Sequence, residues 1–119
     1  MRSFDAGGRR GISRERRALV DTVRAERSLI ERARAEVRIA GEAIRSTERA
    51  LAQARAAAEQ ANEVVRITEV AFRAGATSNI EVIDAQPRAR DTETAAAVAK
   101  HELRRARLEL LAAAGRFPG

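Results

Sequence analysis

Two carboxylates, Glu81 and Asp84, lie one helical turn apart just after the short segment that joins two long helical patterns. Their spacing places both on one face of a helix, so they are candidates for a functional acidic pair. Both also have an adequate local role. Ser78 followed by Glu81 fits a capping box, and an acid in the first turn suits the helix dipole. The residues alone therefore favour a structural role over a functional one.

The rest of the chain offers little for catalysis or for metal binding. His101 is the only histidine and there is no cysteine, so no His–Cys or thiolate metal site can be assembled. The sequence contains no nucleophile–base pair and no phosphate-binding loop. We therefore expect no enzymatic activity, no cofactor and no metal, and we interpret His101 as a solvated residue on a helix face.

Arginine clusters give the chain a net charge of +6, from 23 basic and 17 acidic residues. A basic patch can mark a nucleic-acid-binding protein. Here glutamates are interleaved with the arginines and no aromatic platform accompanies them, which favours a solvated, ion-paired helix face. A basic nucleic-acid-binding hairpin stays open as a third interpretation. The arginines concerned are Arg9, Arg10, Arg14, Arg16, Arg17, Arg104, Arg105 and Arg107.

A seven-residue apolar repeat runs through most of the chain. In the first half it comprises Val23, Ile30, Val37, Ile44, Leu51, Ala58, Val65 and Phe72, followed three residues later by Ala33, Ala40, Thr47, Ala54, Ala61 and Thr68. In the second half it comprises Val82, Ala89, Ala96, Leu103 and Leu110, with Ala85, Thr92, Ala99, Ala106 and Ala113. Two matching narrow seams with a short connector predict an all-α fold, a long antiparallel helical hairpin of coiled-coil type.

Glycines and caps predict where the two helices begin and end. Gly75 can take the left-handed conformation that ends a helix, and Pro87 predicts a kink in the second helix. At 1.5 Å per residue the helices would be about 90 Å and about 50 Å long, so the first outruns its partner. The expected segments are a glycine-rich irregular lead-in over 1–12, a first helix over 13–74 capped by Ser13, a turn over 75–78, a second helix over 79–114 and a tail over 115–119.

Apolar residues outside the main seam predict a second neighbour for the first helix. They are Ala57, Val64, Ile67 and Ala71. An isolated helix pair with an alanine-rich seam buries little apolar area, and chain entropy opposes its folding. We therefore expect the hairpin to pack against further helices, in other copies or in another part of the protein.

Three segments resemble the C-terminal repeat of the TolC-type outer membrane efflux proteins. Residues 4–10 (FDAGGRR) are similar to the aromatic-Asp/Thr-Gly-Gly segment where a barrel strand passes into a long periplasmic helix. Residues 72–86 (FRAGATSNIEVIDAQ) are similar to the family's turn signature, which ends in Asp/Glu-Val-Leu/Ile-Asp-Ala-Gln. Residues 110–115 resemble its closing apolar-glycine stretch. The turn signature is the most specific of the three.

The resemblance implies a segment of a trimeric channel whose long helices form a periplasmic tunnel. It places Glu81 and Asp84 in acidic rings that constrict the entrance, where crowded carboxylates favour cations. It implies a location in the outer membrane and periplasm, and an inner membrane transporter that drives export of small molecules. The turn would contact a periplasmic adaptor protein through Arg73, Ala74, Gly75, Ala76, Thr77 and Ser78.

The chain also departs from the family pattern. Phe72 replaces the usual tyrosine, and Pro87 replaces a helix-compatible polar or basic residue. We find no signal peptide, first repeat or complete barrel, which predicts a fragment or a split reading frame that is soluble when expressed alone. The main alternative to the channel is a free-standing, soluble coiled-coil module that self-associates through its alanine seam.

Overall fold

Two long helices make up the fold. The computed structural model describes the backbone of residues 2–116 and the side chains of residues 11–116. Helix α1 (Arg2–Arg73) and helix α2 (Asn79–Gly115) pack against each other in antiparallel orientation. The hairpin is a thin rod of 111 × 19 × 14 Å. The predicted all-α hairpin of two long helices is confirmed.

The N-terminal part of α1 differs from the expectation. The irregular lead-in over residues 1–12 is wrong, because the chain is helical from Arg2 onward. Ser13 therefore lies inside α1 and does not cap it, and residues 2–12 contain no strand. A glycine costs a helix about 1 kcal/mol relative to alanine but keeps its backbone donor, so scattered glycines weaken a long helix without ending it.

The other helix ends lie close to the predicted positions. Helix α1 ends at Arg73, and α2 begins at Asn79 and continues to Gly115. Arg116 closes α2, with its backbone N–H donating to the carbonyl groups of residues 112 and 113, each at 3.2 Å. Residues 117–119 of the predicted tail lie outside the described residues.

Pro87 is an exposed residue inside α2. Its ring nitrogen carries no hydrogen, so the carbonyl of Ile83 does not receive the hydrogen bond that residue 87 would normally give. The helix nevertheless continues through this position to Gly115. The kink predicted here stays a prediction.

The heptad seam forms the interface between the helices. All nine buried apolar residues lie at the seam positions, and six of them are alanine, which allows close approach of the helix axes: Ala33, Ala40, Leu51, Val82, Ala85, Ala89, Leu103, Ala106 and Ala113. Ile30, Val37, Ile44, Val65 and Leu110 are half-buried.

Two residues predicted for the seam, Val23 and Phe72, are each 46% exposed. Val23 lies beyond the end of α2, so nothing in the hairpin covers it. Phe72 lies in the last turn of α1, where the chain reverses and leaves one side open. The seam residues are therefore buried only where the two helices lie side by side.

Two exposed polar contacts between the helices show their register. The Asn62 side-chain amide donates to Glu93 Oε1 at 3.1 Å, and Arg116 Nε donates to Glu36 Oε2 at 3.3 Å. The Thr47 hydroxyl on the seam donates to the Ala43 carbonyl of its own helix at 2.8 Å, so it needs no partner across the interface. The end of α2 thus lies beside Glu36, the buried seam ends at Ala33, and residues 11–29 of α1 are all exposed.

Much of the apolar surface stays outside the seam. No large side chain among the described residues is fully buried, so the hydrophobic stabilisation of the hairpin is small. Neither helix, over residues 2–116, contains an apolar stretch long enough to cross a membrane. The exposed large apolar residues include Leu19, Leu29, Ile39, Val64, Ile67, Val70, Ile80, Ile83, Val98, Leu108 and Leu111.

Candidate functional site

The turn between the helices is closed by a Schellman motif. The Gly75 N–H donates to the Phe72 carbonyl at 3.0 Å, and the Ala76 N–H donates to the Ala71 carbonyl at 2.8 Å. Gly75 has a φ of 76°, a left-handed conformation that residues with a Cβ rarely adopt. The predicted left-handed glycine at the end of α1 is confirmed.

The cap of α2 differs in its partners from the predicted capping box. Ser78 has the extended backbone of an N-cap, with φ −88° and ψ 158°, but its side chain makes no capping hydrogen bond. The Glu81 carboxylate does not reach back to the Ser78 N–H and instead accepts a hydrogen bond from the Thr77 hydroxyl. A bond from a hydroxyl to a carboxylate is charge-assisted, which explains why this arrangement competes with the capping box.

The six residues predicted to contact an adaptor form the tip of the hairpin. Five of them are exposed and Thr77 is half-buried. Arg73 carries the only charge of the six, which are Arg73, Ala74, Gly75, Ala76, Thr77 and Ser78. The tip is therefore a small-residue surface with one positive charge.

Behind the tip, an open groove of about 360 Å³ runs between the helices. Both predicted carboxylates, Glu81 and Asp84, line it from α2 and are themselves exposed. Arg88 follows one turn further along the same helix. The groove is lined by Ala61, Val64, Thr68, Glu81, Asp84, Ala85 and Arg88.

The two groove carboxylates form no ion pair with Arg88, which lines the same groove. Within residues 11–116, neither Glu81 nor Asp84 takes part in an ion pair. Ion pairs join Glu63 to Arg66, Glu102 to Arg105 at 4.0 Å, and Glu36 to Arg116 at 3.3 Å. The hydrogen bond from Arg66 lowers the pKa of the Glu63 carboxyl.

Comparison with known proteins supplies no relative. No protein-family model, curated protein or solved structure matches this chain. The candidate site therefore has to be interpreted from its own geometry.

The remaining candidates lie apart from the groove. His101 is exposed on α2, and the described residues contain no cluster of three or more His, Cys, Asp or Glu side chains that could hold a metal ion. The side chains of Arg9 and Arg10 lie outside the described residues. The other arginines singled out from the sequence are exposed: Arg14, Arg16, Arg17, Arg104, Arg105 and Arg107.

Exposed apolar residues occur on both helices near the tip, and the sequence pattern predicted only some of them. Val64 and Ile67 were predicted and are exposed; Val70, Ile80 and Ile83 were missed and are exposed as well. Of the other two residues predicted for the second face, Ala57 is exposed and Ala71 is half-buried. The spacing of Ile80 and Ile83 around Val82 is the signal that was overlooked, because residues three apart share a helix face.

Proposed function

We propose that this hairpin is part of the helical wall of a TolC-type outer membrane efflux channel, a passive conduit in a tripartite export system. In that setting the hairpin stands beside further helices of the same trimer, and its tip contacts a periplasmic adaptor protein. An inner membrane transporter drives export, and Glu81 and Asp84 narrow the entrance. The resemblance of residues 72–86 to the family's turn signature suggested this function.

The exposed apolar residues near the tip support a place within a larger helical wall. Val64, Ile67 and Ile83 are each more than half exposed, although seam residues of the same region, Val82 and Ala85, are buried. Apolar patches of this kind on a soluble surface mark contacts with other molecules. Neighbouring helices in a tunnel would cover them.

The proposal that two carboxylates narrow the entrance rests on their position. Glu81 and Asp84 lie just behind the tip, line one groove and have no ion-pair partner within residues 11–116. Repeated around a symmetry axis, such acids would form a ring of negative charge. Rings of carboxylates select cations in pores.

Conductance measurements test this proposal on the product of the complete gene, reconstituted in planar bilayers. The double variant Glu81→Gln/Asp84→Asn removes the acidic ring and should weaken block by divalent cations at least about tenfold. The matched control, Asp91→Asn/Glu102→Gln, removes two exposed carboxylates from α2 away from the groove and should leave the block unchanged. Equal block in both variants would exclude the gate role.

A free-standing coiled-coil interaction module is the second candidate. The exposed apolar residues on α1 before Glu36 favour it, because they extend the seam beyond the end of α2. The flanking DNA distinguishes the two candidates. A signal peptide and a first repeat encoded upstream in the same reading frame would favour the channel, and a promoter and ribosome-binding site directly before Met1 would favour the module.

A further inference from the structure

The N-terminal part of α1 extends beyond the part of α2 that the structure describes. Arg116, which closes α2, contacts Glu36, the buried seam of α1 ends at Ala33, and residues 11–29 are all exposed. Within it, Ile12, Leu19 and Val23 are all exposed, Leu19 to 66%. We call residues 11–32 the free arm.

The seam pattern continues along the free arm and is symmetric about residue 21. Ile12 and Ile30 are equally far from that residue, and so are Leu19 and Val23. The two seam positions that are not apolar form the third such pair, and they carry opposite charges. In chain order the six positions are Ile12, Arg16, Leu19, Val23, Glu26 and Ile30.

We propose that the free arm binds the free arm of a second copy of this chain, antiparallel, with the two-fold axis at Asp21. Ile12 of one copy then packs against Ile30 of the other, and Leu19 packs against Val23. In an antiparallel coiled coil, the first heptad position of one helix packs against the fourth position of the other, and both of these pairs follow that pattern. The product is an end-to-end dimer of hairpins.

Charge complementarity favours a second copy of the chain as the partner and favours the antiparallel orientation. In the antiparallel register, Arg16 of each copy faces Glu26 of the other, which gives two attractive pairs by symmetry. A parallel, in-register pair would instead place Arg16 against Arg16 and Glu26 against Glu26. Val20, at the edge of the seam, faces Val20 of the other copy and adds apolar contact near the axis.

The hairpin itself leaves room for this contact. The pairing uses residues 12–30, of which residues 12–29 are exposed in the hairpin and Ile30 is half-buried, whereas the buried seam begins at Ala33. The proposal concerns a different part of the molecule from the groove and does not depend on the proposed channel function. Its failure would leave the conductance test unaffected.

Sedimentation equilibrium of the 119-residue chain tests the proposal. The wild-type chain should have twice the 13.0 kDa mass of one copy. Arg16→Glu places two like-charge pairs in the seam and should weaken the dimer about 100-fold. Arg14→Glu makes the same charge change on the opposite face of the arm and should leave the dimer intact.

Charge reversal provides the rescue that separates pairing from misfolding. Glu26→Arg alone should also give monomers, but an equimolar mixture of the Arg16→Glu and Glu26→Arg chains should form mixed dimers, because every seam pair is then attractive. The double variant Arg16→Glu/Glu26→Arg should dimerise with itself. A monomeric wild-type chain, or an oligomer indifferent to these changes, would overturn the proposal, and either result would leave the arm to another partner.

Cross-linking tests the antiparallel register directly, since the native chain has no cysteine. A mixture of Ile12→Cys and Ile30→Cys chains should form a mixed disulfide on mild oxidation. Ile12→Cys alone should not cross-link, because the two copies of that residue lie about 27 Å apart along the axis. Efficient cross-linking of Ile12→Cys to itself would show a parallel pair and contradict the assignment.

Discussion

Gly75 is the residue on which the reversal of the chain depends. Its φ of 76° places the next amide so that both bonds of the Schellman motif can form. A Cβ built at this position would meet no atom within 4 Å, so a clash with neighbouring residues is not what requires glycine here. The constraint is the backbone conformation itself.

Gly75→Ala should therefore lower the free energy of unfolding by about 1–2 kcal/mol, because the left-handed backbone conformation is unfavourable for alanine. Urea unfolding followed by circular dichroism measures the change. Gly41→Ala is the matched control: it lies inside α1, where a Cβ would be 3.9 Å from the Arg45 side chain. That variant should gain about 0.5–1 kcal/mol, and equal effects at the two positions would contradict the role of Gly75.

Sequence predicted the residues of the cap but not their hydrogen bonds. Gly75 and Ser78 were placed correctly because glycine and serine have few other uses between two helical patterns. The partner of Glu81 was not predictable, since the hydroxyl of Thr77 and the N–H of Ser78 both lie within its reach. Alternative contacts between exposed side chains differ too little in free energy to be predicted from a residue pattern.

The interface between α1 and α2 was predictable as a set of positions. A seven-residue period defines one face of a helix whatever its exact ends, so the pattern identified all nine buried residues. It failed at Val23 and Phe72, because burial also needs a partner opposite the residue. The helical start at Arg2 was missed for a related reason: glycine lowers local helix propensity, but a long neighbouring helix propagates through it.

Leu103 gives the clearest test of the seam. It is 5% exposed, and Leu103→Ala should destabilise the hairpin by about 2–3 kcal/mol through lost burial and a residual cavity. Leu108→Ala, on the same helix but 65% exposed, should change stability by less than about 0.5 kcal/mol. Urea unfolding measures both variants, and similar losses for the two would mean that the seam is placed on the wrong face.

For the whole molecule, the candidate site was less predictable than the fold. The hairpin follows from one chain, whereas an acidic constriction or a covered apolar surface requires neighbours that one chain does not supply. Glu81 and Asp84 line a shared groove as their spacing indicated, but no pattern within the chain states what faces them. The information for the fold lies within α1 and α2, whereas the proposed constriction depends on neighbouring helices.

The rod shape can be measured in solution by small-angle X-ray scattering. The radius of gyration of the hairpin is 30.2 Å, and the Arg16→Glu chain, expected to be monomeric, should give a value near it. A compact globule of the same length would give about 14 Å. A result close to the smaller value would contradict two extended helices.

The unequal lengths of α1 and α2 create a gradient of backbone stability along the rod. Between Glu36 and Arg73, melting one turn also exposes the packed seam, so local opening is costly. Over residues 11–29, where every side chain is exposed, the hydrogen bonds of a single helix are the main opposition to fraying, and these are marginal in water. In the proposed dimer, this segment would be ordered as it binds, and the ordering would reduce the net affinity of the two copies.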